Sequence, residues 1–187
     1  MERPVTDFAI LGFLMRGPMS GYDLKKLMAL STGQFYEPSY GSIYPSLERM
    51  AGRGLVEAER AEGESRLRRA YAITEAGRKA FREWLTSPLD VTKGPSSILL
   101  RIFFMGSLEP GEAGKTLGLF ARAASERRAW LETALDDLPE RPDFFQASTQ
   151  RFGLDYYAFL ASWLEELGRE IPAKTAKSKA GAKEAKA

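Results

Sequence analysis

The sequence of 187 residues contains neither Cys nor His. Their absence excludes thiolate nucleophiles, disulfides, thiolate metal sites and iron–sulfur clusters, and with them the commonest general base and metal ligand near neutral pH. Catalysis would fall to carboxylate, Lys, Tyr or Ser groups. The candidates Lys115, Asp136, Asp137, Glu140 and Tyr157 lie in no motif with recognisable mechanics. The sequence thus implies no catalytic residue, no metal and no cofactor. Its concentrated chemistry is of another kind. Ser39, Tyr40, Gly41, Ser42, Tyr44 and Pro45 set hydroxyls around a glycine in one short stretch, and Arg49 follows about a turn later. Lys25 and Lys26 precede them, while Arg60, Arg66, Arg68 and Arg69 cluster downstream. Hydroxyls at a helix start and rows of cations are groups that hold phosphate.

These groups need a frame, and the apolar spacing supplies one. Thr6 is placed to cap a first helix that buries Phe8, Leu11 and Leu14 and ends at Gly17-Pro18. Ser20, with Asp23 three residues on, caps a second helix that runs to about Ser31 and buries Leu24, Leu27 and Met28. Residues 39–53 read as a third helix, with Ile43, Leu47 and Met50 inside and Gly54 as its stop. Gly41, Ser42, Pro45 and Arg49 then fall on the opposite side. Because Pro45 cannot donate a helical hydrogen bond, this helix is expected to begin near Ser42 or to have a distorted first turn. Residues 55–59 and 67–73 read as two strands around a charged hairpin centred on Gly63, and strand alternation sends Arg68 and Arg69 to opposite faces. Thr74 caps a fourth helix that buries Ala80, Phe81 and Trp84.

Ser87-Pro88 and Lys93-Gly94-Pro95 mark a boundary, beyond which the pattern is helical. A short segment spans residues 98–105. Two long amphipathic helices follow, over about 110–138 with Leu117, Phe120, Ala124, Leu131, Leu135 and Leu138, and about 142–170 with Phe152, Tyr156, Phe159, Trp163 and Leu167. Their apolar faces need partners, which predicts a dimerisation region. The expected organisation is a domain over 1–87, a helical region over 88–172, and a disordered Lys/Ala-rich tail over 173–187. Basic and acidic residues number 13 and 11 in the first segment, 9 and 13 in the second, and 5 and 1 in the third. A basic start and tail around an acidic middle suits nucleic acid at one end and a protein partner elsewhere. With 44% apolar and 28% charged residues the chain is expected to be globular. Without a secretory signal or an apolar stretch long enough for a bilayer, the expected location is the cytoplasm, away from membranes.

Three short helices, a hairpin and a further helix, in that order, describe a winged helix-turn-helix. In that fold the third helix enters the major groove and the hairpin follows the phosphate backbone. The fold class expected is mainly α with a small β-hairpin, an N-terminal winged helix-turn-helix joined to a C-terminal helical dimerisation region. The residues themselves resemble the PadR family of transcriptional regulators. The resemblance is carried by Ala9-Ile10-Leu11-Gly12-Phe13-Leu14, by Gly17-Pro18-Met19-Ser20-Gly21-Tyr22-Asp23-Leu24, and by Ser39-Tyr40-Gly41-Ser42-Ile43-Tyr44-Pro45-Ser46-Leu47 with Gly54-Leu55-Val56. Arg69-Ala70-Tyr71-Ala72-Ile73-Thr74-Glu75-Ala76-Gly77-Arg78 completes it. The longer C-terminal half is similar in composition to the branch with a virulence-activator-type helical region.

The resemblance implies a homodimeric repressor that binds a pseudo-palindromic site on double-stranded DNA. Its DNA contacts are expected from Ser39, Tyr40, Gly41, Ser42, Tyr44, Pro45 and Arg49, with Lys25, Arg66, Arg68 and Arg69. Tyr44 is open to a second reading as core, and the hairpin arginines to one as an ordinary solvated hairpin. The tail lysines would either add salt-sensitive affinity for DNA or simply solubilise the chain. Some relatives bind planar apolar effectors, which makes Phe120, Trp130, Tyr156, Phe159 and Trp163 candidate effector residues. Interface core is the alternative for these aromatics. A competing function is an architectural protein or protein-interaction adaptor that reads little sequence.

Overall fold

The computed structural model describes residues 4–58, 69–136 and 142–184. Two compact units emerge, one of residues Met1–Ser87 with Gly94–Met105, the other of Pro88–Lys93 with Gly106–Ala187. The first unit is built on α1 (Val5–Leu14), in which every residue from Asp7 to Leu14 is buried. A helix apolar all round belongs at the centre of a core. Gly12 has a packing role here, since a Cβ at that position would lie 2.6 Å from the Phe104 ring. α1 begins two residues earlier than the sequence suggests, with Pro4 in place of Thr6 before it and no side-chain cap. The hydroxyl of Thr6, expected to cap it, instead pairs with the Tyr36 hydroxyl at 2.8 Å.

A two-residue strand β1 (Met19–Ser20), absent from the sequence reading, leads into α2 (Gly21–Ser31). Ser20 caps α2 as expected. Its Oγ accepts from the Asp23 amide at 3.1 Å and donates to Asp23 Oδ2 at 2.7 Å. Leu24 and Met28 are fully buried and Leu27 is only half-buried. α3 (Tyr40–Gly52) starts at Tyr40 rather than Ser42, with Pro45 inside it. The helix tolerates Pro45 because the ring is exposed and the Gly41 carbonyl, deprived of its helical donor, lies at the solvent-facing N-terminal end. Gly54, at φ +67°, closes α3 with the Leu55 amide returning to the Met50 carbonyl at 2.9 Å.

β2 (Val56–Ala58) and β3 (Ala70–Ile73) pair antiparallel, and β1 adds on the other side of β3, so the sheet order is β1-β3-β2. Val56 faces Ile73, Ala58 faces Tyr71, and Met19 faces Tyr71 from the other edge. α4 (Glu75–Thr86) is capped by Thr74, which accepts from the Gly77 amide at 3.1 Å and donates to the Gly54 carbonyl at 2.7 Å. Ala80, Phe81 and Trp84 are buried as the spacing predicts, and Phe8 stacks on Trp84 at 4.8 Å. α5 (Pro95–Phe104) also belongs to this unit: Arg101 reaches the Ser87 carbonyl at 2.6 Å and lies over the Trp84 ring.

The second unit is a pair of long helices, α6 (Pro110–Asp136) and α7 (Phe144–Glu184). Gly153 approaches Leu131 while Gly168 approaches Leu117, so the two run antiparallel. Their shared core is Leu117, Phe120, Ala121 and Ala124 against Leu160, Ala161 and Leu164. α7 opens on a capping box in which Asp143 Oδ1 accepts from the Gln146 amide at 2.8 Å and Gln146 Oε1 from the Asp143 amide at 3.1 Å. Where the sequence suggests a disordered tail from 173, the α7 backbone stays helical to Glu184, in keeping with the high helix propensity of Ala, Lys and Glu. Among the described residues no helix is long and apolar enough to cross a membrane.

Candidate nucleic-acid interface

The N-terminal half of α3 separates core from surface cleanly. Ile43, Leu47 and Met50 are fully buried, while Ser39, Gly41, Ser42 and Pro45 are exposed and Tyr40 is 45% exposed. No side chain caps the first amides: the Ser39 hydroxyl pairs with that of Ser42 at 3.1 Å instead. An exposed helix start with uncapped amides and several hydroxyls is a surface suited to an anion.

Tyr44 turns out to belong to both core and surface. Its ring lies so close to Gly21 that a Cβ there would be 2.6 Å from Cε1, and it stacks with Tyr40 at 6.3 Å and 19°. Burial, and secondarily the neighbouring Tyr40 and Tyr71, raise its phenol above the ordinary value of 10.0. It therefore stays a neutral hydroxyl that donates as well as accepts. Glycine at 21 thus sets where Tyr44, and through it Tyr40, stands at the helix start.

The cations divide. Arg49 Nη2 donates to Asp7 Oδ1 at 2.9 Å and to Ser46 Oγ at 2.8 Å, so the side chain is tied to α1 while staying 43% exposed. Lys25 is largely buried and pairs with Glu37, leaving Lys26 as the exposed member of that couple. Arg69 is exposed just before β3, whereas Arg60, Arg66 and Arg68 lie outside the described residues. Sequence reasoning overlooked Asp7, Ser46 and Glu37 as partners of these cations. The one available signal was Asp7, a lone charge in an otherwise apolar helix.

The five aromatics considered for an effector are not all brought to one surface. Phe120 is buried between α6 and α7, whereas Phe159 is 65% exposed. Trp130 is exposed beneath the Arg127 guanidinium, which lies 3.9 Å from its ring centre. Tyr156 and Trp163 are half-buried, and Tyr156 stacks on Phe152. Phe145, Phe152 and Phe159, all strongly exposed, recur at seven-residue intervals along α7.

Residues 10–83 match the model of the transcriptional regulator PadR-like family, and residues 96–171 match that of the virulence activator alpha C-terminal domain. The chain is 28% identical over 130 residues to the negative transcriptional regulator PadR of Bacillus subtilis, covering 68% of this chain and 69% of the relative. It is 31% identical over 86 residues to a probable transcriptional regulator of Mycobacterium tuberculosis, covering 46% of each. Among solved structures, Bacillus subtilis PadR in complex with operator DNA shares 25% identity at a TM-score of 0.43, covering 90% of this chain and 99% of that one.

Proposed function

We propose that the chain, whose residues 10–83 match the transcriptional regulator PadR-like family, is a homodimeric repressor that reads a pseudo-palindromic operator with the N-terminal face of α3. The observation that carries this reading is the uncapped, exposed start of α3, where Tyr40, Ser42 and Tyr44 offer hydroxyls from a helix whose other face is locked in the core. Rigidity matters, because base contacts discriminate only when the side chains that make them are held in register. Arg69 follows the sugar-phosphate backbone beside β3, and Arg49 belongs to the same surface.

Dimerisation is assigned to α7, where Phe145, Phe152 and Phe159 form an apolar line at heptad spacing. Two copies place their recognition helices about one DNA turn, roughly 34 Å, apart. A planar apolar effector is assigned to the exposed Trp130 and the half-buried Tyr156 and Trp163, while Phe159 goes to the dimer line and Phe120 to the core. The site of action is the cytoplasm.

Selection of duplexes from a random pool by the purified protein, with excess competitor DNA, tests this reading. A recovered site with two-fold symmetry is the expected result. Recovery of DNA without a common sequence would replace it with an architectural role.

A further inference from the structure

Asp7 is fully buried in α1, where the other buried residues are apolar or glycine. Its Oδ1 accepts from Arg49 Nη2 at 2.9 Å, and its Oδ2 is buried without a hydrogen-bond donor. Arg49 is therefore the one group that answers the charge of this carboxylate among the described residues. The same Nη2 is shared with Ser46 Oγ, whereas Nε and Nη1 make no hydrogen bond to any described residue. One nitrogen of the guanidinium is thus fastened to α1, within a side chain that is 43% exposed. Arg49 stands three and seven residues beyond Ser46 and Ser42, in the last turn of α3. Residues late in a recognition helix meet backbone rather than base edges.

We infer that Asp7 is a positioning residue for DNA binding: by holding one nitrogen of Arg49 it fixes the guanidinium plane so that the remaining N–H groups meet a backbone phosphate. The inference rests on the role given to α3 above. An unrestrained arginine loses most of its rotamer freedom when it grips a phosphate, and a buried carboxylate that has already fixed it reduces that loss. The sign of the effect separates positioning from plain electrostatics. Removing a negative charge beside the interface strengthens DNA binding if only net charge matters, and weakens it if Asp7 orients Arg49.

Binding of the full chain to a selected duplex and to an unrelated one, measured by fluorescence anisotropy across a salt series, decides the matter. Arg49→Gln alone would strand the buried carboxylate, so the neutral pair Asp7→Asn with Arg49→Gln is the informative variant, since it keeps an amide hydrogen bond without a buried charge. Its affinity is expected to fall roughly tenfold on both duplexes. The slope of log affinity against log salt becomes shallower by about 0.9 for each protomer. Asp7→Asn alone is expected to weaken binding roughly threefold, the scale of immobilising one long side chain, and keeps the test decisive should the double variant unfold. An unchanged salt slope in the folded double variant, or tighter binding by Asp7→Asn, overturns the inference and leaves the DNA-binding reading standing. A wild-type chain that binds neither duplex overturns both.

Discussion

Gly21 and Gly77 show how single positions constrain packing in the first unit. A methyl group at 21 meets the Tyr44 ring, which can swing, whereas one at 77 lies 2.1 Å from the Leu55 carbonyl oxygen, which cannot. Gly77→Ala is therefore expected to lower stability by about 3 kcal/mol, seen as a fall in Tm, and Gly21→Ala by about 1 kcal/mol with a larger loss of operator affinity than of stability. A second residue-scale prediction concerns pH. Burial, opposed by the Thr6 bond and assisted by Asp7, raises the Tyr36 phenol above its ordinary 10.0. The contribution is complete below the unfolded value and is lost as pH climbs through the folded one, because the unfolded chain releases its proton first. Urea titrations between pH 9 and 11 should show stability falling, and falling less steeply in Tyr36→Phe. Much at this scale was legible in the sequence, since the Ser20 and Thr74 caps and the Gly54 stop act within three or four residues. Arg49 was legible only in part. Periodicity gives the side of a helix on which a residue starts, but not that a long side chain bends back to a carboxylate 42 residues away.

Elements were readable where their pattern is long. Among the described residues the seven α-helices could be read from apolar spacing, with Ser20 and Thr74 as caps for two of them, but β1 could not, because two residues carry no periodicity and are a strand only through pairing with β3. For α3, Pro45 leaves open a start near Ser42 or a distorted first turn, and the helix starts at Tyr40, since a proline near a solvated helix end leaves only one carbonyl for water to satisfy. The N-terminal cap of α7 offers an element-scale test. Asp143→Ala removes a reciprocal pair of hydrogen bonds and should cost about 1 kcal/mol, with the loss concentrated in the first turns of α7 as read by hydrogen exchange.

For the whole molecule, the proposed dimer ties the aromatic line of α7 to DNA reading. Phe145, Phe152 and Phe159 are each more than 60% exposed, and exposed aromatics in a row at heptad spacing mark an association surface. Phe152→Glu with Phe159→Glu should yield a folded monomer in sedimentation and lower operator affinity by at least about tenfold, since two linked recognition helices share one orientational cost. Sequence periodicity brings out these long helices; the family resemblance makes both Phe120 and Phe159 effector candidates, with interface core as the alternative, and the structure puts the one in the core and the other on the surface. The most direct test of the account is a comparison of the selected symmetric duplex with the same duplex in which one half-site is scrambled, with affinity and stoichiometry measured together at fixed salt. Two protomers on the intact duplex and a loss of at least about a hundredfold on the scrambled one is the predicted result. Equal affinity for the two duplexes would contradict it.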